Sequence, residues 1–245
     1  MKHLRTQLLM GLLIAISCFS GNLNAQSNVD SENALSGKQQ QIVAIAALTA
    51  KGDLTNLKPE LHAGLDAGLT VNQIKEVLVH LYAYCGFPRS IRGLQTFMEV
   101  LDERKAKGIN DEMGAEASPI QDEPNKYERG KENLEKLTGV IQTGPQTGYA
   151  AFAPVIEIFL KEHLFADIFD RDVLTFAERE LVTIAVISSI GSADPMLRSH
   201  LNICLNVGLT PEQLQQFIGI IKSTLGKKEA KAAQEVLDEV LENRD

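Results

Sequence analysis

Three cysteines in 245 residues are too few for a disulfide framework. Cys18 falls in an N-terminal leader, so Cys85 and Cys204 remain, and the sequence leaves them open between a bridge and two free thiols. Bridging depends on Cα atoms lying within about 7 Å of each other. Beyond residue 25 no apolar run approaches the roughly twenty residues that cross a bilayer. Positive charge is short as well: 24 Lys and Arg against 32 Asp and Glu give a formal charge of −8. An acidic surface repels phosphate backbones, so neither nucleic acid nor anionic lipid is an expected partner. Alternating apolar and polar positions are missing, and the β-branched residues recur at helical spacing, which points to an all-α fold. A metal centre lacks its ligands. His200 and Cys204 share a helical face, but a third donor would have to be His80 or Cys85 from far along the chain, so no metal and no other cofactor is expected.

What is present begins with a leader. Lys2 and Arg5 precede an apolar stretch over 8–19, and Leu23-Asn24-Ala25 ends in a small residue. This reads as a signal peptide over residues 1–25, cleaved after Ala25, which makes the protein exported, periplasmic or secreted, with no membrane insertion after cleavage. A lipid on Cys18 is the lesser reading, because Ala15-Ile16-Ser17 matches a lipidation signal loosely. Cleavage removes Lys2 and Arg5 and no acid, which takes the formal charge from −8 to −10.

The remainder repeats itself. Ser36 and Gln39 form a capping box, followed at helical spacing by Ile42, Val43, Ile45 and Ala46. Thr175 and Glu178 repeat it 139 residues later, before Leu181, Val182, Ile184 and Ala185. Ala67-Gly68-Leu69-Thr70 with Gln73 answers to Val207-Gly208-Leu209-Thr210 with Gln213 at an offset of 140. In each, Gly suits the left-handed position that ends one helix and Thr caps the next. The spacing predicts two copies of a helical-hairpin unit: residues 35–105, a Gly-, Pro- and acid-rich linker over 106–126, and residues 127–243. In the first copy a helix over 71–84, a break at Cys85-Gly86-Phe87-Pro88 and a helix from about 89 to 105 are expected; in the second, a helix over 149–165 and a charged final helix over 228–242.

These residues resemble the carboxymuconolactone decarboxylase family, all-helical proteins of the alkylhydroperoxidase D-like fold that include lactone decarboxylases of aromatic catabolism and thiol-dependent alkylhydroperoxidases. The resemblance rests on Leu174-Thr175 with Glu178-Arg179-Glu180-Leu181-Val182, on His200 eight residues before Gly208-Leu209-Thr210, and on Glu76, His80, Tyr84, Gly86 and Pro88. It covers nearly all of the chain beyond the leader, and it implies a homo-oligomer. The peroxidase branch implies a Cys-x-x-Cys-x-x-x-His motif, and counting back from His200 the cysteine positions hold Ala193 and Met196. The attacking and the resolving thiol are both missing. In the first copy the position matching His200 holds Glu60, with His62 two residues on.

The decarboxylase branch implies a cationic clamp for the substrate carboxylate, an apolar wall and an acid for the carbon left behind. His200 suits the acid, since imidazole titrates near neutrality, and Glu180 suits its orientation. Arg179 and Arg198 are the candidates to hold the carboxylate by a two-pronged contact. Glu76, His80 and Tyr84 recur every four residues on one face and form a second cluster, with Glu76 and His80 read as catalytic and Tyr84 as substrate-binding. The second copy has Gln216, Ile220 and Thr224 in those places, so one composite site, shared between copies or with a neighbouring subunit, is expected. Plainer readings stand beside these: His200 as a packing residue, Arg179-Glu180 as interhelical ion pairs, and the Glu76 stripe as an interhelical or subunit contact. The expected function is a lyase acting on a small anionic carboxylate or lactone. A peroxiredoxin-like thiol enzyme and a non-catalytic exported binding or assembly module are the alternatives.

Overall fold

Residues 34–120 and 124–244, the part of the chain described by the computed structural model, contain eleven α-helices and one π-helical segment and no strand. The expected leader over residues 1–25, with Cys18, lies outside the described residues. The first copy supplies α1 (Gly37–Lys51), α2 (Leu54–Asp66), α3 (Val71–His80) and α4 (Tyr82–Ala106). Next come α5 (Lys126–Thr138), α6 (Gly148–Phe152), α7 (Pro154–Phe159) and the π-helical segment (Leu160–Ile168). The second copy ends with α8 (Phe176–Ile190), α9 (Asp194–Asn206), α10 (Pro211–Thr224) and α11 (Lys227–Glu242).

Two helices that are apolar on every side occupy the centre. In α1 every residue from Ile42 to Ala50 is buried, and in α8 every residue from Arg179 to Ser189. A helix without a polar face has to be covered all round. These equivalent helices pack on each other, and the hairpins of both copies close around them in one hydrophobic core that runs from Leu35 to Val240. Residues Leu35–Asp245 accordingly form one compact unit. The four capping boxes are all present, at Ser36/Gln39, Thr70/Gln73, Thr175/Glu178 and Thr210/Gln213. Gly68 and Gly208 take φ of 90° and 97°, the conformation that turns each hairpin. No helix among the described residues is long and apolar enough to cross a membrane.

Two local features position the site. Gly86, at φ 81° and ψ 160°, breaks α4 where the Cys85-Gly86-Phe87-Pro88 break is expected, and so leaves Tyr84 one turn beyond His80 on a continuing helical path. Residues 106–120 of the linker form an ordered strap. The first-turn amides of α3, Val71 and Asn72, donate to the carbonyls of Glu112 and Met113 at 2.9 Å each. Donors that every helix leaves unpaired at its N-terminus are thereby satisfied. Arg104 fastens the strap through Asp111, and Ser118 fastens it to Asp172 just before α8.

The segment 149–165 differs from the single helix that its apolar spacing predicts. Ala153 stands at φ −134° and ψ 76°, between α6 and α7. A residue before proline is pushed out of the helical region, and Pro154 has no N–H to continue the ladder. From Leu160 the chain winds as a π-helix, which packs against α5 around Leu137, Leu164, Phe165, Ile168 and Phe169.

Candidate functional site

The polar residues of the site are brought inward by the start of α8. Thr175 and Glu178 are used up in capping it, so the next two residues, Arg179 and Glu180, point into the core and have no exposed surface. A buried guanidinium has to find a carboxylate. Arg179 finds Glu76 of α3: Nη2 donates to Oε1 at 2.8 Å. Arg171, in the loop before α8, grips the same carboxylate with Nε and Nη2, each at 2.9 Å. The Arg179 Nη2 also donates to the Arg171 carbonyl, which locks the loop to the helix.

His80, one turn after Glu76, extends the network. Arg179 has only donors, so its Nη1 donates to His80 Nδ1 at 3.2 Å. His80 Nε2–H then donates to Thr183 Oγ1 at 3.0 Å, whose own proton goes to the Arg179 carbonyl at 2.9 Å. Every member of this ring is buried, and its order assigns a neutral His80 protonated on Nε2. Burial, reinforced by the charges of Arg179 and His200, pushes the His80 pKa well below 6.5. In the unfolded chain His80 takes up a proton near pH 6.5, and in the native state it does not. The unfolded state therefore binds more protons below that pH, and unfolding free energy is expected to fall as pH drops from 6.5 toward 5, by up to about 1.4 kcal/mol per unit for this one group. Denaturant melts of the His80→Gln protein over the same range should show a correspondingly shallower fall; an equal slope would contradict the assignment.

Tyr84 joins this ring to His200. Its ring centre is 5.5 Å from that of His80 and 5.9 Å, edge-on, from that of His200. His200, on α9, donates from Nδ1 to Glu180 Oε2 at 2.8 Å, which leaves Nε2 as the ring nitrogen not engaged with Glu180. The imidazole is 14% exposed while Glu180 is wholly buried. Three buried polar atoms of the cluster make no well-formed hydrogen bond: Arg179 Nε, Glu180 Oε1 and the Tyr84 hydroxyl, whose nearest polar neighbour is Thr183. Burial, with the nearby Glu180 carboxylate, pushes the Tyr84 phenol above its usual pKa of 10, so it stays protonated and is a donor.

Six of the seven residues singled out in the sequence, Glu76, His80, Tyr84, Arg179, Glu180 and His200, thus form one continuous cluster drawn from both copies. Arg179 does not act as an open clamp, since both its Nη groups are engaged, by His80 and by Glu76 with the Arg171 carbonyl. Arg198 stands apart: it pairs with Glu239 on α11, and residues two apart on a helix do not share a face. Arg171 and Thr183 are further members. Thr183 carried a signal, being four residues after Arg179, whereas Arg171 sits in a loop that carries no periodicity.

Neither thiol is activated as a nucleophile. Cys85 and Cys204 are both free. Burial pushes Cys85 up to about 11, and burial together with Glu180 pushes Cys204 well above 9. A thiol that stays protonated at neutral pH is a poor nucleophile. Glu60 and His62 of the first copy build no counterpart of the His200 pair; His62 instead pairs with Glu103 at 3.4 Å.

The carboxymuconolactone decarboxylase family matches this chain twice, over residues 21–97 and 155–239. An uncharacterized protein of Methanocaldococcus jannaschii is 28% identical over 81 residues, 33% of this chain and 76% of that protein. The 4-carboxymuconolactone decarboxylase of Acinetobacter baylyi is 32% identical over 85 residues, 35% of this chain and 63% of the enzyme. The chain therefore spans less than two thirds of the decarboxylase that it matches.

Proposed function

Starting from the fact that this chain belongs to the carboxymuconolactone decarboxylase family, we propose that it is an exported lyase that removes carbon dioxide from a small anionic carboxylate or lactone, with His200 supplying the proton. The observation that carries this reading is the His200–Glu180 pair, a partly exposed imidazole held at 2.8 Å by a wholly buried carboxylate. When the bond to the carboxyl carbon breaks, carbon dioxide leaves and the electron pair stays on the ring carbon, delocalised toward the lactone carbonyl. His200 Nε2–H delivers a proton to that carbon. Glu180 fixes the ring through Nδ1–H and offsets the charge of the imidazolium form. The Tyr84 hydroxyl, held protonated beside His200, donates to a substrate oxygen, and the buried Arg179–His80 ring holds Tyr84 and the start of α8 in place.

Carbon dioxide release from a panel of carboxylated lactones tests the reading. The Tyr84→Phe protein is expected to release it about tenfold or more slowly, the loss that follows removal of one hydrogen bond to a charged group. An unchanged rate would remove Tyr84 from the site. A thiol peroxidase has less support, because Ala193 and Met196 stand where that chemistry needs cysteines and the two thiols present are held protonated.

Self-association is part of the proposal. Phe87, Ile91 and Met98 form an exposed apolar stripe along α4, which supports contact with a second copy. Sedimentation is expected to give an oligomer for the natural protein and a smaller species for Ile91→Glu; a monomeric natural protein would contradict it.

A further inference from the structure

Glu157 and Lys161 form a buried ion pair, 2.7 Å apart, that takes no part in the His200 cluster. It lies at the junction of α7 and the π-helical segment, a type of turn often found where function requires an irregular backbone. The junction is packed hard against α5: a Cβ on Gly130 would stand 1.8 Å from the Lys161 carbonyl oxygen. Lys161 also donates to the Tyr127 hydroxyl at 3.1 Å, with its ammonium 4.9 Å from the centre of that ring. Two partners leave a third N–H on the ammonium. Taking such a pair out of water is unfavourable unless its remaining donors and acceptors are used, so the pair alone is a poor stabilising device.

The pair forms part of the wall of a cavity of about 500 Å³, within the size range of small-molecule sites. Tyr127, Gln142, Gln146 and Tyr149 line it as well. Most of this wall belongs to the segment between the two regions that match the family, so the duplicated hairpins do not require it. The Val140–Gln142 stretch is fixed in place by bonds from the Gln142 N–H to Glu135 Oε1 at 2.7 Å and from the Val140 N–H to Thr138 Oγ1 at 3.2 Å.

The lining defines the chemistry of the occupant. Its charged groups cancel, Glu128 and Glu157 against Lys131 and Lys161. An anion seeking Lys161 would meet the Glu157 carboxylate, and a cation seeking Glu157 would meet the ammonium. The other polar groups are amides and hydroxyls, which donate and accept alike and so match ligand hydroxyls that do the same. Two tyrosines add apolar ring faces with polar tips, suited to the C–H face of a saturated ring.

We propose that this cavity is a second ligand site, separate from His200, for a neutral polyhydroxylated molecule of one or two sugar rings, with Glu157 and Lys161 binding its hydroxyls and Tyr149 packing against its ring face. Saturation-transfer NMR on the mature chain, with methyl β-D-glucopyranoside, sucrose and benzoate as separate probes, tests it at about 10 mM, where a millimolar site is largely filled. Transfer to at least one sugar and not to benzoate is expected, equal in the His200→Gln protein and reduced at least tenfold in affinity in Lys161→Met. Tyr149→Ala, an exposed rim substitution that leaves the core intact, should have the same effect. No transfer to either sugar, undiminished transfer in Tyr149→Ala, or preferential transfer to benzoate would each overturn the proposal.

Discussion

Replacing His200 by Gln is expected to slow carbon dioxide release from the true substrate by about 10²–10⁴-fold, the usual contribution of a positioned acid, while leaving unfolding free energy within about 1 kcal/mol of the natural protein. The two expectations belong together. His200 keeps part of its ring exposed, meets Tyr84 edge-on, and makes a bond to Glu180 that a Gln side chain can replace. Its removal takes away a titratable nitrogen and little packing. A large loss of stability with unchanged turnover would reverse the assignment and make His200 a packing residue. Comparison with the Cys85→Ser/Cys204→Ser protein separates proton transfer from thiol chemistry, since that variant should retain its turnover.

Replacing Glu76 by Ala is expected to destabilise the protein by about 3–5 kcal/mol, read as a fall in melting temperature of about 10 °C or more for a chain of this size. The size of the effect follows from Arg179, which has no exposed surface and no other carboxylate. Without Glu76 it becomes an uncompensated buried charge. Arg171 is 38% exposed and can turn to water, so it adds little to the loss. Because the charge left behind dominates, the Glu76→Leu/Arg179→Met double substitution should recover most of the stability, and a double variant as unstable as Glu76→Ala would show that the pair itself, rather than the orphaned guanidinium, was the stabilising element.

The duplication was legible because capping boxes and left-handed glycines are local: Ser36, Thr70, Thr175 and Thr210 each announce a helix start within four residues. The Glu76/His80/Tyr84 stripe was legible for the same reason, being one face of one helix. What was not legible was direction. In α8 every face is buried, so nothing in its pattern distinguishes an Arg179 that opens on a substrate from one that turns to Glu76, 103 residues away. Arg171 acts from a loop next to Asp172, which Ser118 of the strap bonds from 54 residues away. The interruption at Ala153 was signalled by Pro154, but the π-helical winding from Leu160, which lies close against α5 at Gly130, is not encoded in the apolar spacing of 149–165.

The most direct test of His200 as the proton donor is to follow decarboxylation of a carboxylated γ-lactone by NMR in deuterium oxide. The natural protein should release carbon dioxide and leave one deuterium, on one face only, at the carbon that lost the carboxyl group, and the His200→Gln protein should do so about 10²–10⁴-fold more slowly. Carbon dioxide released at the same rate by both proteins, or deuterium delivered to both faces by the natural one, would contradict it.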